Sequence, residues 1–155
     1  MSQRKDDIMI GVGAVVEHPD FPGRILMVQE ARNNKKIGKK RGMLSVPSGH
    51  LERDESPAER AILEIQEETG YRNIKLIGFQ GLYVVKGGLL GIVYQAEVSG
   101  EPGKRQEDEI KKVVWMEPEK ILADEKNLRP AIKEIVQDYL VGRPLLPLKT
   151  VRICF

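Results

Sequence analysis

The chain has 155 residues, of which 41% are hydrophobic, 31% charged and 5% aromatic. That is the composition of one globular domain with a real core, and it excludes a disordered chain. With 25 basic and 23 acidic residues the formal charge is only +2, so the global balance points to no polyanion, and a nucleic-acid partner is not expected.

The longest apolar runs, Ile8–Val16 and Leu89–Val93, are strand-length, far below the roughly 18 residues of a membrane helix. No membrane association is expected. No apolar stretch of signal-peptide type follows the charges of the first residues. Cys154 is the only cysteine, so no internal disulfide can form, and the cytoplasm is the expected compartment. Ile8–Glu17 is rich in β-branched residues and closes on His18-Pro19-Asp20-Phe21-Pro22-Gly23, a strand and its exit. Arg24–Glu30 reads as a second strand. Between Arg32 and Arg41 six of ten positions are Lys or Arg, with no periodicity of helix or strand, which describes an exposed basic loop. Met43–Pro47 is a short apolar stretch, read as a buried strand opening into Pro47-Ser48-Gly49.

The clearest local grammar follows. Ser56-Pro57-Ala58-Glu59 offers a capping-box Ser, a Pro at the first helical position and a Glu three residues after the cap. Ala58, Ala61, Ile62 and Ile65 form an apolar stripe at helical spacing, and Gly70 supplies a left-handed terminus, which predicts a helix over Pro57–Thr69. Beyond it, Ile74–Val85 and Leu89–Val98 flank Lys86-Gly87-Gly88 as a hairpin. Val113–Met116 reads as a short strand, Pro118–Ala123 as one or two helical turns, and Leu128–Val141 as a helix ending at Gly142. The tail from Arg143 either packs on the domain or reaches a partner. Strands and helices in this mixed order predict an α/β layered fold around a mixed sheet.

Chemistry concentrates on the first helix. At about 100° per residue, Glu64, Glu67 and Glu68 share one face, clear of the apolar stripe. Like charges at such spacings destabilise a helix by about 0.2–0.5 kcal/mol per pair unless a cation sits among them. Carboxylates without a neighbouring His or Cys suit Mg²⁺, with Mn²⁺ as the alternative, better than Zn²⁺. A solvated acidic face is the bland reading of a bare E-x-x-E-E.

The residues around it change that reading. Gly49, Glu55 and then Leu63-Glu64-Ile65-Gln66-Glu67-Glu68-Thr69-Gly70-Tyr71 stand at the spacings of the Nudix box, and the chain resembles the Nudix (MutT-like) hydrolase family over the 23 residues from Gly49 to Tyr71. More loosely, Pro47-Ser48-Gly49-His50-Leu51-Glu52 and Leu128-Arg129 look like small bacterial Nudix phosphatases acting on nucleoside tri- and diphosphates and thiamine-precursor diphosphates. The resemblance implies a Nudix fold, a mixed β-sheet sandwiched between helices (α/β/α), over residues 1–155 as one domain, with a C-terminal helix about 128–141 and a tail over 143–155. It also implies Mg²⁺-dependent hydrolysis of a diphosphate bond in a nucleotide or related small metabolite. Glu64, Glu67 and Glu68 would then be metal ligands and catalytic residues, with Glu52 a further possibility behind them. Family members often add a carboxylate shortly before a Trp. In Gln106-Glu107-Asp108-Glu109, ahead of Trp115, Glu109 is the choice, and the base stays open between Glu64 and Glu109.

One box position departs: Leu63 stands where the family has Arg, whose guanidinium holds loop and helix together. Arg60, one turn earlier, projects into the carboxylate face. Either it supplies the missing guanidinium to a loop carboxylate such as Glu55, or it is an ordinary exposed arginine. Lys39 and Arg41 of the basic loop are the candidates for holding substrate phosphates. Two other readings stand beside the leading one: an RNA 5′-end pyrophosphohydrolase, and a catalytically weakened domain that binds nucleotide as a regulator. Any oligomer is expected to be a homodimer.

Overall fold

The computed structural model describes residues 7–35, 39–105, 110–152 and 154. The first strand, β1 (Met9–Glu17), shows the two-residue alternation of a strand buried on both faces. Val12, Ala14 and Val16 enter one apolar cluster and Val15 the other. β2 (Ile25–Glu30) repeats the pattern, with Leu26 on the first side and Ile25 and Met27 on the second. The stretch expected as one buried strand is broken by Pro47, which cannot donate a ladder hydrogen bond. It becomes β3 (Leu44–Ser45) and β4 (Ser48–His50), which belong to different sheets.

Helix α1 (Pro57–Thr69) has the expected bounds. Its start differs in one respect: Ser56 takes an extended N-cap conformation but makes no side-chain cap hydrogen bond, so the capping box is not formed. Pro57 sets the first turn instead. At the other end Gly70 adopts φ 84°. A Cβ there would lie 2.2 Å from the carbonyl oxygen of Gly103, whose own N–H donates to the Gly70 carbonyl at 2.7 Å. Only glycine satisfies both the left-handed turn and that approach.

The hairpin of β5 (Asn73–Val85) and β6 (Leu89–Ser99) forms as expected. β7 (Ile110–Met116) begins earlier than the apolar pattern suggested, and α2 (Pro118–Ala123) follows. The last helix is shorter than expected. α3 covers Ile132–Val141, because Pro130 bars Arg129 from helical backbone and Ala131 turns at φ 74°. Leu128 and Arg129 therefore lie beside β3, with a parallel bridge from Leu128 to Leu44.

The strands make two sheets where the sequence suggested one. A mixed four-stranded sheet has the order β4-β1-β6-β5, with β1 and β6 parallel, and an antiparallel sheet has the order β3-β2-β7. α1 covers one side through Ala61 and Ile65, while Ile121 of α2 and Ile132, Ile135 and Val136 of α3 cover the other. This is the α/β/α sandwich. The tail packs on the domain: Phe79, at a bulge of β5, exchanges backbone bonds of 2.9 and 3.1 Å with Leu146. No helix among the described residues is long and apolar enough to cross a membrane.

Candidate active site

The buried end of α1 lies under β4, and that packing shapes the site. Glu64 and Glu68 are both buried, at 7% and 4% exposure. The Ser48 N–H donates to Oε1 of Glu68 at 2.8 Å. The Glu64 carboxylate rests directly on Gly49, where a Cβ would come within 2.0 Å of its Oε1. The box glycine is thus the space into which the box carboxylate fits.

Arg60 ties the loop to the helix. Its Nε and Nη2 donate to the two carboxylate oxygens of Glu55 at 2.7 and 2.8 Å, and Nη1 donates to Oε1 of Glu64 at 3.1 Å. The Glu52 N–H also donates to Glu55, after a turn through Asp54 at φ 64°. The exposed-arginine alternative is excluded, since only 15% of the Arg60 side chain is accessible. Leu63, on the same helix, is exposed.

These contacts set opposite electrostatics on two carboxylates. The bond from Arg60 holds Glu55 below its ordinary value, with help from the Glu52 N–H, against a smaller effect of burial. Burial pushes Glu68 well above its ordinary value, and the charges of Glu64 and Glu30 push the same way, while the Ser48 N–H and Lys39 oppose it. Buried negative charge therefore accumulates around Glu68.

A cavity of about 430 Å³ opens beside these groups, lined by Lys39, Glu52, Arg60, Glu64 and Glu68 and, further along, by Tyr83, Val85, Leu89, Ile132 and Ile135. β4 and β5 are the two edges of the four-stranded sheet, so the cavity crosses its full width, about 14 Å at ordinary strand spacing. The acidic groups lie toward β4 and the apolar ones toward β5. Tyr83, whose OH accepts from Gln80 at 2.9 Å and donates to Asp138 at 2.8 Å, ties the far wall to α3. Burial first, then the Asp138 carboxylate, pushes its phenol up to about 12.

The sequence candidates are placed unequally. Glu64, Glu68, Arg60 and Lys39 meet at the cavity, and Gly49 and Glu55 shape and anchor it. Glu67 is half-buried on α1 and does not line the cavity, and Arg41 is exposed and does not line it either. Glu109 lies outside the described residues. His50 lines the cavity, whereas His18 is buried among Phe21, Tyr71 and Trp115. Sequence reasoning missed Glu30, buried at the end of β2, whose signal was a lone charge closing an apolar run. It also gave Arg129 no place in the site, although Arg129 lines the cavity.

Among the described residues, no three His, Cys, Asp or Glu side chains gather into a ready-made metal cage. The donor chemistry nevertheless suits a hard cation, because Glu64 and Glu68 are buried carboxylates at a cavity and Glu68 is desolvated beside two like charges.

Fold and site together define an α/β/α sandwich in which a carboxylate-bearing helix and a glycine loop close one end of a substrate-sized cavity. The family model for the NUDIX domain matches residues 7–139, and the chain belongs to that family. It is 35% identical over 114 residues to the ADP-ribose pyrophosphatase of Bacillus subtilis (strain 168), covering 66% of this chain and 60% of that protein. To a MutT-like protein of Streptomyces ambofaciens it is 30% identical over 113 residues, covering 72% of this chain and 66% of that protein. The chain thus spans less than two thirds of either relative's length. A NUDIX hydrolase from Nitrosomonas europaea shares the fold, with a TM-score of 0.80 at 24% identity over 96% of this chain and 98% of that one.

Proposed function

We propose that the chain hydrolyses a diphosphate bond in a nucleoside diphosphate derivative, with compounds of the ADP-ribose type first among its substrates. The observation that carries this reading is the continuity of the cavity from Glu64 and Glu68 to the apolar wall of Val85, Leu89, Ile132 and Ile135. One end suits a metal-bound diphosphate and the other the organic group attached to it. The name of the Bacillus subtilis relative, ADP-ribose pyrophosphatase, supports the choice within that class.

In this reading Glu64, Glu67 and Glu68 would hold Mg²⁺ or Mn²⁺. When bound, the ion would neutralise charge on the diphosphate oxygens. A water oxygen forms a bond to phosphorus, the bridging P–O bond breaks, and the proton of the water passes to a carboxylate. Glu64, oriented by Arg60 Nη1, is one such base, and Glu109 remains the other candidate. Arg60 acts as a positioning residue: with its fork on Glu55 it supplies the guanidinium that Leu63 lacks, which supports turnover over a weakened regulator. Lys39, which lines the cavity, binds substrate phosphate, and Arg41 is the second candidate from the same loop.

The test is a screen of ADP-ribose, nucleoside di- and triphosphates and 5′-triphosphate RNA with Mg²⁺ or Mn²⁺, monitoring phosphate, pyrophosphate and nucleoside monophosphate separately. Release of AMP and ribose phosphate from ADP-ribose is expected. Absence of metal-dependent cleavage of any of these compounds would overturn the reading, and cleavage of the RNA alone would replace it.

A further inference from the structure

Glu30 is a buried carboxylate outside the box. Its side chain is 2% exposed, and its backbone is fixed on both sides, the N–H donating to Met43 and the carbonyl accepting from Gly42 at 2.9 and 2.8 Å. The register with β7 shifts between Gln29 and Glu30, where β2 ends. Burying a lone carboxylate is costly unless cations reach it. Two do. Lys39 Nζ lies 3.5 Å from Oε2, and Arg129 Nη1 donates to Oε1 at 3.2 Å.

Glu30 thus faces two cations, and both line the cavity that contains Glu64 and Glu68. The cluster's internal hydrogen bonding is incomplete, since Glu30 Oε2 and Arg129 Nε have no hydrogen-bond partner among the described residues. The backbone holds Arg129 firmly: its N–H donates to the Leu44 carbonyl at 3.0 Å, and Pro130 and the left-handed Ala131 follow before α3 begins. If neutralising Glu30 were the whole purpose, an apolar pair would serve stability as well. A guanidinium with a fixed fork at a cavity wall is instead suited to bind phosphate oxygens.

We propose that Arg129 and Lys39, held together by Glu30, form a two-cation clamp for the substrate's diphosphate. Arg129 binds it directly, and Glu30 is a positioning residue. The clamp rests on the reading of the cavity as a diphosphate site.

The experiment uses the full chain and inorganic pyrophosphate as probe, measured by titration calorimetry in EDTA and again with Mg²⁺. Arg129→Gln should weaken binding about tenfold to a hundredfold, the range for a charge-assisted hydrogen bond, and Arg129→Lys should recover part of it. Because Arg129→Gln strands Glu30 and can impair folding, Glu30→Gln/Arg129→Gln is the decisive variant. It removes one charge of each sign, keeps the net charge, and should still bind pyrophosphate at least about tenfold more weakly than the natural chain. A double variant that binds as tightly as the natural chain would overturn the clamp and leave Arg129 as a counterion, as would a natural chain that does not bind pyrophosphate at all. ADP-ribose hydrolysis is measured in parallel. Pyrophosphate binding that depends on Arg129 in a chain that hydrolyses nothing would keep the clamp and reject the proposed function. Hydrolysis with an unchanged KM in the double variant would do the reverse.

Discussion

Arg60 grips both carboxylate oxygens of Glu55 and, with its third nitrogen, the carboxylate of Glu64. One guanidinium thereby couples the loop after β4 to the face of α1 that carries the acidic residues. A box that lacks its usual arginine at Leu63 has kept the connection from one turn away.

Arg60→Ala is therefore expected to reduce kcat by about a hundredfold, the cost of a misplacement of about 1 Å in a reacting group, with KM less affected. Arg60→Ala/Leu63→Arg should recover part of the loss, because position 63 borders the same face. Steady-state kinetics on the four combinations decide the matter, and additive effects would show that the two positions do not share a role.

The two box glycines serve different ends, so their alanine variants should fail differently. Gly49→Ala places a methyl against the Glu64 carboxylate, the movable end of a side chain, and should lower kcat while changing stability by no more than about 1 kcal/mol. Gly70→Ala meets backbone, the Gly103 carbonyl, at a positive φ, and should cost about 2 kcal/mol or more. Thermal melts beside kcat separate the two. Equal loss of stability would show that the Glu64 contact is not local.

Much of this was legible because it is local. Ser56, Pro57 and Gly70 bound α1, and a helical wheel puts Arg60 among the carboxylates. What was not legible depends on long-range packing or on backbone detail. The bond from Arg129 to Glu30 spans 99 residues, so the lone charge that closes the apolar run of β2 carries its meaning only once its distant partner is in place. The start of α3 was misplaced because Leu128 and Arg129 carry a helical apolar pattern that Pro130 and Ala131 override. Lys39 and Arg41 look equivalent in a basic loop, and only the position of Glu30 distinguishes the one that reaches the cavity.

Glu67 presents a sharper test of the metal assignment than its neighbours, since it is half-buried and contributes neither to the core clusters nor to the Arg60 link. Glu67→Gln should leave stability within about 0.5 kcal/mol and raise the Mg²⁺ concentration needed for half-maximal activity. Glu59→Gln, an exposed change on the same helix, is the control. An identical Mg²⁺ requirement in both variants would remove Glu67 from the ligand set.

The last expectation concerns pH and the metal together. Burial raises the Glu68 carboxyl above its ordinary value of 4.5, so between that value and the raised one the folded chain binds more protons than the unfolded chain. Stability from this group is then full below about pH 4.5 and declines as pH rises through the folded value. In metal-free protein the melting temperature should fall across that window, and Glu68→Gln, which cannot ionise, should lack this component and be the more stable at neutral pH. Mg²⁺ should reverse the order by stabilising the natural chain, whose ionised carboxylate can bind it, more than the variant. Melting curves of both proteins from pH 4 to 8, in EDTA and in Mg²⁺, read out the sign directly. Parallel curves in EDTA would mean that Glu68 is not held protonated by burial, and an equal Mg²⁺ shift in the two proteins would mean that the cation is bound elsewhere.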